Sequence, residues 1–449
     1  MRRLLIVSPH FPPVNAPDMQ RVRMSLPHFA EFGWEPRVLA VAPERVECVR
    51  EPLLLGTIPP HVPVHRAGAF DVRWTRKLGV GALALRALPF LHSAGTGILR
   101  RHKSDLVYFS TTMFPVMALG RLWKRHFGVP FVIDMQDPWV SDYYDRRPRA
   151  ERPPKYRLAR LMHSVLEPFA MKAVDGVVAV STPYHETMRE RYPWISPDVC
   201  RTIPFGASER DFDVAAKMVW NNPFFTPGDG LIHGVYVGVL GRVMGETCRA
   251  ICRAFRRGLD TAPGLFSKLR LHFVGTDYAM GDRARATIRP LAAEAGLEKF
   301  IFEDTDRVPY FAALRLLRDA DFLFVAGSDN PHYTASKIYS YILARKPLLA
   351  VFHEQSSVVS VVESTGAGRV VVFGGNDGAS EIAEKLQPAL TMLLESLPLT
   401  PKMDWKKFEP YLARELTRQQ CELFDIVVER HRSGVNAALQ ERGLQPAST

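Results

Sequence analysis

Short apolar runs alternate along this chain with longer stretches in which apolar side chains recur every three or four positions. Residues 4–8 read as a strand, 21–32 as a helix closed by Gly33, and 37–41 as a second strand. Residues 106–110, 130–134 and 176–181 read as further strands, with helices over 113–127, 158–173 and 184–192. Continuous apolar runs of this length suit strands buried on both faces, and their alternation with helices predicts an α/β, doubly wound parallel sheet. The pattern stops at Ile203-Pro204-Phe205-Gly206. The stretch that follows holds Pro223, Pro227, Gly228 and Gly230 and reads as linker. Alternation then restarts, with strands over 234–239, 269–274, 300–302, 322–325 and 348–352. Helices are expected over 247–259, 284–295, 310–320 and 337–344, and the last two over 380–395 and 411–430. The expected organisation is a first parallel-sheet domain over 1–206, an irregular segment over 207–231 and a second such domain over 232–405. Residues 406–449 would supply a terminal helix and a frayed tail. Ligands of such sheets bind beyond the carboxyl ends of the strands, so two of these domains are expected to share a cleft there.

The 449 residues exceed one ordinary core, which agrees with two domains. Five scattered cysteines do not form a disulfide framework, and the Cys248/Cys252 pair has no companion His or Cys for a metal site. A reduced, cytoplasmic setting fits. Residues 4–7 are too short for a signal-peptide core, and no run approaches the roughly 20 apolar residues of a bilayer span. Net charge is +11, compatible with an anionic ligand, an anionic membrane or nucleic acid. No recognition-helix, zinc or RNA-binding signature supports nucleic acid. The basic charge is concentrated: residues 72–104 hold Arg73, Arg76, Lys77, Arg86, Arg100, Arg101 and Lys103 and no acid, and 146–160 form a second basic stretch. Mixed with apolar residues, both are candidates for peripheral contact with the inner face of the cytoplasmic membrane; a solvated helix face plus loop is the alternative.

Candidate chemistry follows the strands. After the first come His10, Asn15, Asp18 and Arg21 around the stiff Pro12-Pro13 pair. His10 either faces a ligand or is a satisfied structural histidine; Arg21 either contacts a phosphate or caps local carbonyls. After 131–133 come Asp134 and Asp137, where Asp137 is read as positioning an acceptor and Asp134 as holding the loop. In the second half Gly238-Val239-Leu240-Gly241-Arg242 links strand to helix, so the glycines admit a diphosphate that Arg242 neutralises. Gly275 follows the next strand. Ser336 is expected to N-cap the helix led by Lys337, making a cationic seat for an anion.

Taken in order, these stretches resemble a family 4 glycosyltransferase. The resemblance rests on residues 8–13 through Arg21, on Phe32-Gly33-Trp34, on 174–181, on Ile203-Pro204-Phe205-Gly206, on 319–323 and on the Ser336–Lys337 helix. It implies a GT-B fold, two Rossmann-like domains facing a central cleft. It further implies a retaining transfer from a nucleoside-diphosphate sugar to a saccharide or lipid-linked acceptor, with no cofactor and no metal. Surface polysaccharide or glycolipid assembly is the implied setting. Donor binding is then assigned to Gly238, Gly241, Gly275, His332, Ser336 and Ser340, and catalysis to Arg242, Lys337, His10 and Asp137. Many members carry two glutamates where this chain has His332 and Ser340. Asp329 or Glu363 is left as a substitute, and a catalytically inactive binder or a sugar-nucleotide epimerase remains as an alternative.

Overall fold

The computed structural model describes residues 1–141, 145, 152, 155–277, 279, 281–329 and 335–441, without the side chains of Arg242, Asp282, Val435 and 437–441. The chain forms two compact units, one of residues 1–205 with 413–449 and one of residues 206–412.

The first unit carries a seven-stranded, all-parallel sheet in the order β3-β2-β1-β4-β5-β6-β7. Its strands are β1 (Arg2–Val7), β2 (Trp34–Val41), β3 (Val64–Ala67), β4 (Leu106–Ser110), β5 (Phe131–Met135), β6 (Gly176–Ala179) and β7 (Cys200–Thr202). The helices are α1 (Gln20–Ser25), the short α2 (Val72–Thr75), α3 (Leu83–Arg101), α4 (Ala118–Phe127), α5 (Tyr156–Met171) and α6 (Thr182–Arg191). Every residue of β4, β5 and β6 is buried, as their unbroken apolar runs require. The C-terminal helix, Ala413–Glu441, packs on this unit: Phe424 lies 4.9 Å from the Tyr108 ring and 5.6 Å from Trp34.

The second unit carries a six-stranded parallel sheet in the order β10-β9-β8-β11-β12-β13. Its strands are β8 (Ile232–Val237), β9 (Leu269–Val274), β10 (Ile301–Asp304), β11 (Phe322–Ala326), β12 (Leu348–His353) and β13 (Gly368–Phe373). The helices are α7 (Glu209–Lys217), α8 (Gly245–Thr261), α9 (Pro263–Phe266), α10 (Arg289–Glu294), α11 (Tyr310–Asp319), α12 (Ile338–Leu343), α13 (Ser357–Thr365), α14 (Ala379–Ser396) and α15 (Trp405–Phe408). Both sheets reverse strand order beside their first strand, between β1 and β4 and between β8 and β11, and such a reversal opens a crevice at the strands' carboxyl ends.

Several expectations are corrected. The helix over 21–32 is split, because Pro27 lacks the donor to continue α1 and the chain resumes as a 3-10 turn, Phe29–Phe32, closed by left-handed Gly33. The helix over 284–295 begins only at Arg289, one residue before Pro290. The expected linker contains α7, whose Phe212 and Ala215 are buried. The basic stretch 72–104 is mostly α3, and its apolar side belongs to the core. Even Arg86 is buried there, donating to the carbonyls of Phe70 and Gly81. Residues 146–151 and 153–154, and the expected tail, lie outside the described residues.

One buried cluster makes the second unit acid-sensitive. His272 lies 3.0 Å from His233, which contacts Asp229 at 3.1 Å. Burial first, then the nearby charges of His233 and Arg270, push His272 down to about 3 from the usual 6.5. Between those values the unfolded chain binds a proton that the fold does not, so stability falls as pH drops below 6.5 and continues to fall toward 3. His272→Phe should remove about 2 kcal/mol of the loss between pH 7 and pH 5, read from urea unfolding midpoints at the two pH values.

Candidate functional site

In the first unit the site is built at the β1/β4 reversal. The His10 ring places Nδ1 2.8 Å from Asp18 Oδ1. Asp18 Oδ2 accepts from the Thr111 hydroxyl at 2.8 Å and from the Thr112 N–H at 3.2 Å, joining the β1 and β4 loops. Gln136 adds the β5 loop by donating to the Asp18 carbonyl at 2.9 Å. Burial acts to lower the His10 pKa, but the bond and charge of Asp18, helped by Cys48, outweigh it and raise the ring to about 9. Asp18 is held below the usual carboxylate range: burial works against it, and His10 with the two threonines prevails. His10 is therefore an imidazolium at neutral pH, a hydrogen-bond donor and not a base. Its Nε2 lies 4.0 Å from the exposed Cys48 thiol.

The other expected residues of this loop divide. Arg21 is buried, ion-paired with Asp134 at 2.9 Å and bonded to the Ile203 and Pro204 carbonyls at 2.7 and 3.2 Å. It caps carbonyls, and its guanidinium is not presented to a phosphate. Asp134 is fully buried and also accepts from Ser110 and Gln136. Asn15 is turned to Glu51, at 2.9 Å. Asp137 is solvent-exposed, and its carboxyl is raised by crowding of nearby protein and then by the Asp18 charge. Because water still reaches it, that rise has a direction but little energetic weight. A separate basic recess lined by Arg3, Glu35, Arg37 and Lys103 lies at the amino ends of the strands, away from these groups.

In the second unit the strand end after β8 is stitched to α12. Tyr341 Oη donates to the Val237 carbonyl at 3.0 Å and accepts the Val237 N–H at 2.5 Å. This holds Lys337 so that Nζ donates to Tyr236 Oη at 2.8 Å, above the Tyr236 ring at 4.5 Å. The ammonium also fills the space over Gly238, where an added Cβ would stand 2.0 Å from Nζ. Lys337 is half-buried, and desolvation of its amine pulls the pKa to about 7. No carboxylate among the described residues pairs with it, so the ammonium is placed for an anion. Gly238→Ala should displace this head group and strain a backbone at φ 141°. Affinity for a diphosphate is expected to fall about tenfold or more by calorimetry, with the melting temperature lowered by only a few degrees.

Gly241 leads into the 3-10 turn Arg242–Met244, and the Arg242 side chain lies outside the described residues. Gly275 follows β9 with φ 71°. Ser336 is exposed in a turn and does not cap the helix: the Ile338 N–H bonds to the Ala335 carbonyl, and α12 starts at Ile338 with Lys337 as its cap residue. With six residues, α12 offers little helix dipole, so the charge at this seat is Lys337 itself. Ser340 is half-buried one turn along; His332 lies outside the described residues. Asp329 is exposed after β11, its N–H bonded to the Val243 carbonyl, and Glu363 is exposed on α13. Sequence reasoning missed Thr111 and Tyr236, and placed Tyr341 on the core face of its helix, where it is buried, without its bonds to Val237. It also missed Glu303, which binds the Thr276 hydroxyl at 2.7 Å and the N–H groups of Thr287, Ile288 and Arg289. Only Tyr341 left a signal, four positions after Lys337 and so on the same helical face.

Two doubly wound parallel-sheet units of this kind define the GT-B glycosyltransferase fold. Residues 20–206 match the family described as glycosyl transferase 4-like domain. No curated protein matches the chain. Among solved structures, a glycosyltransferase from Rickettsia africae aligns at 13% identity with TM-score 0.59, covering 95% of this chain and 98% of its own. HepE of Anabaena, solved in complex with UDP-glucose, aligns at 13% identity and TM-score 0.52, covering 97% and 100%. An α,α-trehalose 6-phosphate synthase from Burkholderia multivorans aligns at 16% and 0.59, covering 100% and 99%. At these identities the likeness is one of fold. Among the described residues no helix is long and apolar enough to cross a membrane, and no cluster of His, Cys, Asp or Glu could hold a metal.

Proposed function

We propose that the protein transfers a sugar from a nucleoside diphosphate to an acceptor hydroxyl, with retention at the anomeric carbon. The observation that carries this reading is the Lys337 ammonium, held over Gly238 with a tyrosine hydroxyl and no carboxylate for company among the described residues. In the reaction the bond from the anomeric carbon to the phosphate oxygen breaks and its electron pair leaves on the diphosphate. Lys337, with Arg242, stabilises that charge as it develops. The acceptor oxygen bonds the anomeric carbon and its proton passes to a leaving phosphate oxygen. No further base is needed, which suits an already protonated His10. His10 and the exposed Asp137 orient the acceptor by hydrogen bonds. Gly241, Gly275, Ser336 and Ser340 line the donor side, and no metal or other cofactor enters the scheme. A saccharide or lipid-linked acceptor of surface polysaccharide or glycolipid assembly, met on the cytoplasmic side, fits this chemistry.

HepE is solved with UDP-glucose, so that donor heads a thermal-shift screen followed by turnover assays with an acceptor panel. Binding to the folded state alone raises the melting temperature. The reading is lost if Lys337→Ala and Arg242→Ala both leave donor affinity and turnover intact. One observation favours a second reading, a binder without activity: Ser340 stands where a glutamate is expected, and a hydroxyl cannot bridge a ribose diol as a carboxylate does. Donor binding with no turnover over the whole panel would select it.

A further inference from the structure

We propose that the first unit docks on an anionic lipid bilayer through one face, made by the turn after β3 and the outer side of α5. This stands on surface chemistry and does not depend on the donor reading.

The face is apolar where side chains normally are not. In and after α2, Trp74 keeps 69% and Leu78 82% of its surface exposed. On α5, Leu158, Leu161 and Val165 keep 66, 64 and 61%, and their spacing puts them on one stripe of the helix. The inner side of α5 is anchored separately by buried Glu167, Ala170 and Met171. The two segments meet: Lys155, just before α5, donates its Nζ to the Gly79 carbonyl at 2.9 Å.

Charge selects the occupant. Lys77, Lys155, Arg157 and Arg160 border the stripe. Among the described residues, the acids nearby are engaged: Asp71 with Arg73 at 3.0 Å, Glu47 with Arg76 and Arg86 at 3.3 Å, and Asp145 with Arg160 at 2.7 Å. Glu167 is buried against Arg191 and Tyr192. Lys77 lies 5.0 Å from the Trp74 ring, and among the described residues neither it nor Arg157 has a carboxylate partner. Apolar side chains with a tryptophan, edged by long basic stems and, among the described residues, by acids that are already paired, match the boundary between acyl chains and anionic headgroups.

Position gives the face a use. It follows the carboxyl ends of β3 and β5, the end of the sheet that also carries His10. Trp139, in the β5 loop, donates to His163 of α5 at 2.9 Å. A bilayer docked there would lie at the end of the sheet that carries His10. The proposal narrows the basic stretches read from the sequence: α3 is excluded because its apolar side is core, and Leu161 and Val165 are added.

The full chain should pellet with vesicles of phosphatidylcholine containing about 30% phosphatidylglycerol, and not with phosphatidylcholine alone, and salt should release it. Leu158→Ser/Leu161→Ser/Val165→Ser should weaken binding at least about tenfold. Lys77→Ser and Arg157→Ser should each weaken it by about fivefold. All these side chains are exposed, so melting temperature and donor binding should stay at the wild-type level. Independently of any variant that fails to fold, brominated lipid should quench the wild-type fluorescence contributed by Trp74, taken as the difference from W74F. The proposal fails if the wild type does not bind anionic vesicles, if the triple variant binds unchanged, or if Trp74 is not quenched. It fails equally if the same substitutions abolish a concentration-dependent dimer, since a second copy would then own the face.

Discussion

Lys337→Met should lower donor turnover by roughly 30- to 1000-fold, the equivalent of ~2–4 kcal/mol of lost charge stabilisation at a departing diphosphate. The same substitution should raise the unfolding midpoint of the unliganded protein. Lysine titrates at 10.5 when unperturbed, and burial brings Lys337 to about 7. Between those values the unfolded chain holds a proton that the fold releases, so the unliganded fold becomes less stable as pH falls from 10.5 toward 7. Methionine fills similar volume without that cost, so stability and activity should move in opposite directions. The mechanism has a further signature. A diphosphate beside the amine restores its proton, so donor binding at pH 8 should take up close to one proton. Calorimetry in buffers of different ionisation enthalpy reads that number directly. An unchanged turnover would remove Lys337 from the reaction; no proton uptake by the wild type would show instead that its amine is already charged before the donor binds.

Asp18→Ala should cost about 3–5 kcal/mol, because it strands a buried imidazolium together with the Thr111 and Thr112 donors. Asp18→Asn separates the contributions: an amide oxygen can still accept from the threonines, but the counter-charge is gone. Burial, opposed by Cys48, then governs His10, whose pKa should fall well below about 9, visible in the NMR titration of its ring protons. The sign of the pH dependence follows. The raised His10 contributes stability that is complete below 6.5 and is lost as pH rises through 9. The lowered Asp18 contributes stability that is present above the ordinary carboxylate value and is lost as pH falls through its depressed one. Asp18→Asn should flatten both limbs of the stability profile. Wild-type limbs in that variant would show that the pair does not carry them.

What could be read from the sequence depended on how local the cause was. Central strands such as β4, β5 and β12 were legible because burial on both faces demands an unbroken apolar run. The edge strands of the first sheet were not: β3 (Val64–Ala67) and β7 (Cys200–Thr202) carry polar residues and owe their strand form to a single neighbour. Ser336 satisfied the local rule for a cap, but the turn from Ala335 to Ile338 displaced the helix start past it. At the site, positions after strand ends and at a helix start drew attention to His10, Gly238 and Lys337. Their partners were hidden by distance along the chain: Thr111 is 93 residues from Asp18, and Tyr236 is 101 from Lys337. Arg21 had two local readings, and only its long-range bonds to Ile203 and Pro204 decide between them.

The first unit is finished by a helix encoded after the whole of the second. Phe424 sits among Phe29, Trp34 and Tyr108, Val427 covers Gly176, and Trp34 donates to Asp425 at 3.0 Å. During synthesis, residues 1–205 thus emerge with a gap in their core that stays open while 206–412 are translated. The order of manufacture and the order of completion are reversed: the part begun first must wait, its aromatic seam wet, for the ribosome to deliver its last piece.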